Sequence, residues 1–319
     1  MLIWGLFIGL IIIFLALDLG VFHKHDHEIK AKEAGIWTAI WVTVAMGFSG
    51  VIYWLFSDGI IANPTNLTPQ NAVLKYITGY LIELSLSIDN VFVIAVIFSS
   101  FKIPAIYQHR VLFWGILGAI VFRALMIIFG VALITKFDWI IYVFGVFLLY
   151  TAFKMLKSSD DKFDPKTSFV FKQIKKIYPI TAQINGHDFF INRMGVKAAT
   201  PLFVALMIIE LTDILFALDS IPAILAITAD PFIVFSSNIF AILGLRSMYF
   251  LISRMLQKFR FINYSLVVIL AFVGLKMLFA HHIELPEWLS LTVISISLIG
   301  GIAASLLIPE SKQEEENAI

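Results

Sequence analysis

Apolar residues in this chain come in long uninterrupted runs, each bounded by short polar or charged stretches. A helix needs about 20 apolar residues to cross a bilayer. Nine runs reach that scale, near 1–22, 35–56, 72–98, 111–134, 138–156, 199–227, 232–252, 262–280 and 288–308. The first could be mistaken for a secretion signal, but no Lys or Arg precedes its apolar core and Asp18 sits well inside it, so it is expected to be retained. One connection is long. Segment 157–198 carries many charges and an Asn185-Gly186 turn signal, which predicts a short ordered excursion of one hairpin, not a separate domain.

Composition agrees with that pattern. Hydrophobic residues make up 60% of the chain and charged ones 14%, where soluble domains average about 25% charged. The mean hydropathy is +0.93. The fold class expected is therefore an all-α polytopic membrane protein. A net charge of +1, with the lysines spread over loops, gives no sign of a nucleic-acid partner. With no cysteine, disulfides and thiolate metal sites are excluded.

The loops alternate sharply in charge. Seventeen basic residues fall on one side: Lys24, Lys30 and Lys32, then Lys102 and Arg110, eight between 157 and 197, then Arg254, Lys258, Arg260 and Lys312. The other side has Lys75 and Lys136 alone. The positive-inside rule then puts the N-terminus outside and the C-terminus in the cytoplasm.

Six carboxylates lie inside the apolar runs: Asp18, Glu83, Asp89, Glu210, Asp213 and Asp219. An acid at the centre of a membrane helix costs roughly 2.5–3.5 kcal/mol even on a lenient scale, so several together imply use. They are also ordered. Aligning Asp89 with Asp219 sets Glu83 on Asp213, Arg123 answers to Arg246, and Phe153-Lys154-Met155-Leu156 answers to Leu275-Lys276-Met277-Leu278. Each half so defined contains three spans, an odd number, so the second half enters from the opposite side. That is the inverted-topology repeat of many secondary transporters. It divides the chain into a two-helix segment (1–71), a first repeat (72–156), a cytoplasmic loop (157–198), a second repeat (199–280) and a last helix with its tail (281–319).

Residues six apart on a straight helix are separated by about 9 Å along the axis and about 120° around it. Glu83 and Asp89 therefore cannot both point at one small ion unless the helix bends. Pro222 would free the carbonyl of Leu218 beside Asp219 and loosen the backbone there, whereas the first half has Phe92 at that place. Glu210 and Asp213, three apart, share a face.

The donors available in the runs are oxygens, with Ser85, Ser87, Asn90, Thr212, Ser220 and Asn238 near the carboxylates and no His in a span core. Such a set suits Mn²⁺, Mg²⁺ or Ca²⁺ and not Zn²⁺ or Cu⁺. Six acids against Arg123, Lys154, Arg246 and Lys276 leave two negative charges, enough for one divalent cation. Alternatively, the acids and bases pair only to fix helix register. Asp18 either joins the site or lies near the cytoplasmic end of its span. His23, His25 and His27, interleaved with Asp26 and Glu28, read as a polar headgroup-level loop or as a metal-capturing one. No Gly-x-Gly-Asp or His-Glu-x-x-His pattern supports an intramembrane protease, and no Walker A pattern supports ATP use.

Long motifs resemble one family. Glu83-Leu84-Ser85-Leu86-Ser87-Ile88-Asp89-Asn90 is similar to the first-half motif of the TerC/Alx family of bacterial membrane proteins. The stretch from Thr200 to Phe250 resembles its second half, through Glu210-Leu211-Thr212-Asp213, Ala217-Leu218-Asp219-Ser220-Ile221-Pro222-Ala223 and Ser237-Asn238-Ile239-Phe240. The resemblance implies kinship with LysE-type exporters, an association with tellurium resistance and, for Alx-like members, Mn²⁺ efflux. It also implies that the metal site comprises Glu83, Asp89, Glu210, Asp213 and Asp219; from the residues themselves, Asp18, Asn90, Arg123, Lys154, Ser220, Asn238, Arg246 and Lys276 are expected to support it. Mn²⁺ would be cargo, and no cofactor and no catalysis are expected. Moving a divalent cation outward costs about 4.6 kcal/mol per 100 mV, and exchange for two protons would cancel that electrical cost. The competing expectation is a membrane stress-response or membrane-biogenesis factor that transports nothing.

Overall fold

A computed structural model describes residues 2–20, 31–63, 66–137, 139–157, 165–181, 184, 186–193, 196–253, 261–279 and 286–307. The loop carrying His23, His25 and His27 lies outside the described residues, as do His281 and His282 and the side chains of Asp18 and Asp89. The element order is α1 (Leu2–Gly20), α2 (Ala31–Ser57), α3 (Pro69–Ser100), α4 (Ala105–Lys136), α5 (Ile140–Lys157), α6 (Phe169–Ile177), β1 (Phe190–Arg193), β2 (Val196–Ala199), α7 (Pro201–Leu225), α8 (Pro231–Ile252), α9 (Ile262–Leu278) and α10 (Glu287–Leu307).

Every apolar run is thus a helix. Seven helices, α2 to α5, α7, α8 and α10, are long and apolar enough to cross a membrane, while α1 and α9 contribute shorter apolar stretches among the described residues. The starts are set by local chemistry. Thr68 accepts a hydrogen bond from the Asn71 amide with Pro69 at the first helical position, and Asp230 accepts from the Phe232 and Ile233 amides ahead of Pro231.

Burial sorts the helices into centre and rim. Nearly all of α8 is buried, as befits a helix that is apolar all round. It packs on α2, α3 and α4. Phe48 of α2, at 4.7 Å from Phe240, and Phe7 of α1, at 5.3 Å from Phe232, tie the N-terminal helices to it. By contrast α4, α5 and α10 turn Ile128, Phe129, Phe153, Ile296 and Ile299 outward. Such apolar belts would be a liability in water and suit lipid.

Glycines allow the closest approaches. A Cβ at Gly145 of α5 would stand 3.0 Å from the Gly274 carbonyl oxygen of α9, and one at Gly274 would stand 3.0 Å from the Gly145 carbonyl oxygen, so these two backbones touch. Gly115, Gly118 and Gly130 give α4 a side without side chains against α7. The principal pairings are α3 with α7 and α8, α4 with α7 and α8, and α5 with α9.

One local expectation needs correction. The hairpin predicted in 157–198 exists, but it joins Phe190–Arg193 to Val196–Ala199 in antiparallel register and is not centred on Asn185-Gly186. Gly186 serves a separate turn with φ +55°. The segment also holds an unanticipated amphipathic helix, α6, capped by Ser168. Pro222 lies in the last turn of α7, where it has no N–H to offer the Leu218 carbonyl, and the helix still runs on to Leu225.

Candidate functional site: an ion-paired polar centre

A buried arginine organises the interior. Arg123 lies near the middle of α4 and is only 1% exposed. A guanidinium so placed must be paired, since an isolated charge there is prohibitively desolvated. Its Nη1 pairs closely with Glu83 Oε1 of α3. Its Nη2 lies 3.0 Å from Asp213 Oδ1 of α7, and its Nε reaches Asp213 Oδ2 at 3.4 Å. The forked guanidinium therefore holds one carboxylate in two-point contact and another end-on. Nη1 also donates to Asn238 Oδ1 of α8 at 3.0 Å and to Ser220 Oγ of α7 at 3.5 Å. Asn90 of α3 donates to Asp213 Oδ1 at 3.2 Å, and Ser87 donates to Glu83 Oε1 at 3.3 Å.

Four helices thus meet at one cation, and five of the residues singled out in the sequence lie around it: Glu83, Asp213, Asn90, Ser220 and Asn238. Glu83 of α3 and Asp213 of α7 share the one arginine.

Glu210 lies one turn before Asp213, as the i,i+3 spacing predicts. Its carboxylate fills the space that a Cβ on Gly118 would take. Glu83 Oε2, Asn90 Oδ1 and Glu210 Oε2 are buried acceptors without a hydrogen-bond partner among the described residues. A narrow cavity of about 20 Å³, room for one water or one bare ion, is lined by Asn90, Asp213, Thr212, Ala119 and Phe216.

Asp219 faces elsewhere. It accepts a hydrogen bond from Thr151 Oγ1 of α5 at 2.9 Å and lies within electrostatic reach of Lys154. Arg246 is buried in α8 at 2% exposure. Lys276 of α9 donates to Ser290 of α10 at 3.0 Å. Of the five carboxylates expected to form one site, Glu83 and Asp213 meet at Arg123, Glu210 lies one turn away, Asp219 points to Thr151, and the side chain of Asp89, like that of Asp18, lies outside the described residues. Among the described residues no three acidic or His side chains cluster at metal-binding distance.

Thr151 and Gly118 were not anticipated. Thr151 was detectable through Lys154, three residues on and on the same helix face, while Gly118 carries its role in the absence of a side chain, which spacing patterns of charged residues cannot reveal.

A helical bundle with a buried arginine clamped between carboxylates of two different helices, inside a belt of outward-facing apolar residues, defines a polytopic integral membrane protein with an ion-paired interior. Residues 68–313 match the integral membrane protein TerC family, and the chain belongs to that family. It is 48% identical over 305 residues to the uncharacterized membrane protein STKORF319 of Myxococcus xanthus, covering 96% of this chain and 92% of that one. It is 42% identical over 304 residues to an uncharacterized membrane protein of Rickettsia bellii (strain RML369-C), covering 95% and 97%. Over 294 residues it is 42% identical to Alx of Escherichia coli (strain K12), described as a candidate membrane-bound redox modulator, covering 92% of this chain and 90% of that protein. No solved structure matches it.

Proposed function

We propose that this protein is a secondary transporter that exports Mn²⁺, and other hard divalent cations, from the cytoplasm in exchange for H⁺. The observation that carries the reading is the polar centre. Glu83 and Asp213 converge on Arg123, while Glu83 Oε2, Asn90 Oδ1 and Glu210 Oε2 are buried acceptors with no donor among the described residues. Such oxygens call for a cation, a proton or water, and an all-oxygen set favours a hard divalent ion. Arg123 is then the resident counter-charge: its guanidinium neutralises the carboxylates until metal displaces it, and Asp89 and Asp219 extend the acidic path. Protons would return on the same carboxylates, because a cluster of like charges in low dielectric cannot stay fully ionised once the metal leaves.

Helix packing supports the inverted repeat that this mechanism uses. Exchanging α3, α4 and α5 with α7, α8 and α9 turns the α3–α8 contact into α7–α4, which is present, and maps the α3–α7, α4–α8 and α5–α9 contacts onto themselves. We read nine spans, α1 to α5 and α7 to α10, with the N-terminus outside and the C-terminus in the cytoplasm of a bacterial inner membrane. The α6 and hairpin segment would then be cytoplasmic.

Mn²⁺ uptake into inside-out vesicles tests this. Uptake driven by an acid-interior gradient, and abolished by Asp213→Asn with the protein still inserted, is the expected result; flux equal to that of protein-free vesicles would reject transport. The second reading, a stress-response or membrane-biogenesis factor without transport, rests on the description of the Alx relative as a candidate redox modulator. Any redox role here would act without thiols, since the chain has no cysteine.

A further inference from the structure

A second cavity lies away from the polar centre, beside the connection between α5 and α7. It measures about 580 Å³ and sits between the last residues of α3, the start of α7 and the α6 segment. Lys102, Lys166 and Lys175 line it together with Ser100 and Thr181, over walls of Phe101, Phe171 and Ile180. The Phe101 and Phe171 rings stand 6.0 Å apart. No carboxylate is among the described residues lining it. Lys102 and Lys175 beside an apolar-walled space describe a receptor for an anion attached to a greasy body.

A second observation, from the backbone, points to the same place. Helix α3 ends in a Schellman motif: the Ile103 amide bonds the Phe98 carbonyl at 2.9 Å and the Lys102 amide bonds the Ser99 carbonyl at 3.0 Å. The residue that must turn left-handed in this motif is normally glycine, yet here it is Lys102, at φ +52°. A lysine pays a steric penalty in that conformation which glycine would not. The strained conformation holds the root of Lys102 at the cavity rim, and strain of this kind gathers at ligand sites.

The position of the cavity selects the occupant. It is bounded by the end of α3 and the start of α7, two helices long and apolar enough to cross a membrane, and basic pockets at the ends of such helices receive anionic headgroups. We propose that this cavity is a binding site for the phosphate headgroup of an anionic phospholipid, with Lys102 and Lys175 as its principal contacts. The site is independent of the ion chemistry at Arg123.

Native mass spectrometry of the detergent-purified full chain, titrated with dioleoylphosphatidylglycerol or dioleoylphosphatidylcholine, tests it together with melting temperatures. Phosphatidylglycerol should be retained and should raise the melting point, and phosphatidylcholine should do neither. Lys102→Gly and Lys175→Ala should each weaken phosphatidylglycerol binding about fivefold, while Lys172→Ala, on α6 but not lining the cavity, should leave it unchanged. Without lipid, Lys102→Gly should melt at or above the wild type, since glycine relieves the left-handed strain; weaker lipid binding in that variant therefore cannot be ascribed to misfolding. Equal retention of the two lipids, wild-type binding by both Lys102→Gly and Lys175→Ala, or a response to soluble glycerol 3-phosphate as strong as to the lipid would overturn the proposal.

Discussion

Two carboxylates on one helix meet opposite fates. Asp213 and Asp219 both project from α7, six residues apart, yet Asp213 is clamped by the Arg123 guanidinium and Asp219 is met by the hydroxyl of Thr151 beside Lys154. The first arrangement is a charge lock. Its partners are buried on every side, so removing one strands the other. The second is adaptable, because a hydroxyl can rotate and a lysine stem can swing. A transporter of the kind proposed needs both: a centre that is never left with unbalanced charge, and a carboxylate free to exchange partners as cargo passes.

The sharpest way to break this contrast is Arg123→Ala. It leaves Glu83 and Asp213 buried without a counter-charge and should cost about 3–5 kcal/mol, read as a large drop in detergent melting temperature. A melting point equal to the wild type would show that the lock does not hold the fold. Next comes Gly118→Ala. Its new Cβ would occupy the space of the Glu210 carboxylate, the far end of a flexible side chain that must swing aside, so a loss of about 1 kcal/mol is expected, whereas Gly47→Ala, where a Cβ meets nothing within 4 Å, should be neutral or slightly stabilising.

Smaller stability effects should follow at the adaptable end. Thr151→Val deletes the hydrogen bond to Asp219, and buried side-chain bonds between membrane helices average only about 0.6 kcal/mol. Asp219→Asn keeps an acceptor oxygen for Thr151 and should hardly move the melting temperature, yet on the proposed mechanism it should abolish Mn²⁺ export in inverted vesicles. Export at the wild-type rate would remove Asp219 from the ion path.

Most of the helical framework was legible because a bilayer imposes a coarse and strict rule: about 20 apolar residues per crossing. The run expected at 72–98 became Pro69–Ser100, and that at 232–252 became Pro231–Ile252, with cap residues adding the outer turns. The segment between α5 and α7 obeys no such rule. There Phe169–Ile177 is a nine-residue amphipathic helix whose lysines read as loop charge, and the hairpin falls at 190–199 while the stronger turn dipeptide marks another bend.

The candidate site divides in the same way. That Glu83, Asp213 and Arg123 belong together could be anticipated from charge and the repeat. That one arginine serves both acids, on α3 and α7, depends on how four helices cross, which no spacing along the chain encodes. The opening of Gly118 to Glu210 was hidden for the opposite reason, since it consists of an atom that is missing.

Helix α8 carries Arg246 and Asn238 in its interior and keeps almost no surface for lipid. A segment like that is a poor candidate to leave the insertion machinery alone, because an arginine in mid-helix costs roughly 2.5–3.5 kcal/mol against bare lipid. Its packing partners α2, α3 and α4 all precede it in the chain. During synthesis the earlier helices can therefore stand ready as a receiving cradle, and the order of the genetic message becomes the order of assembly: the core is laid down late, into a shell already made.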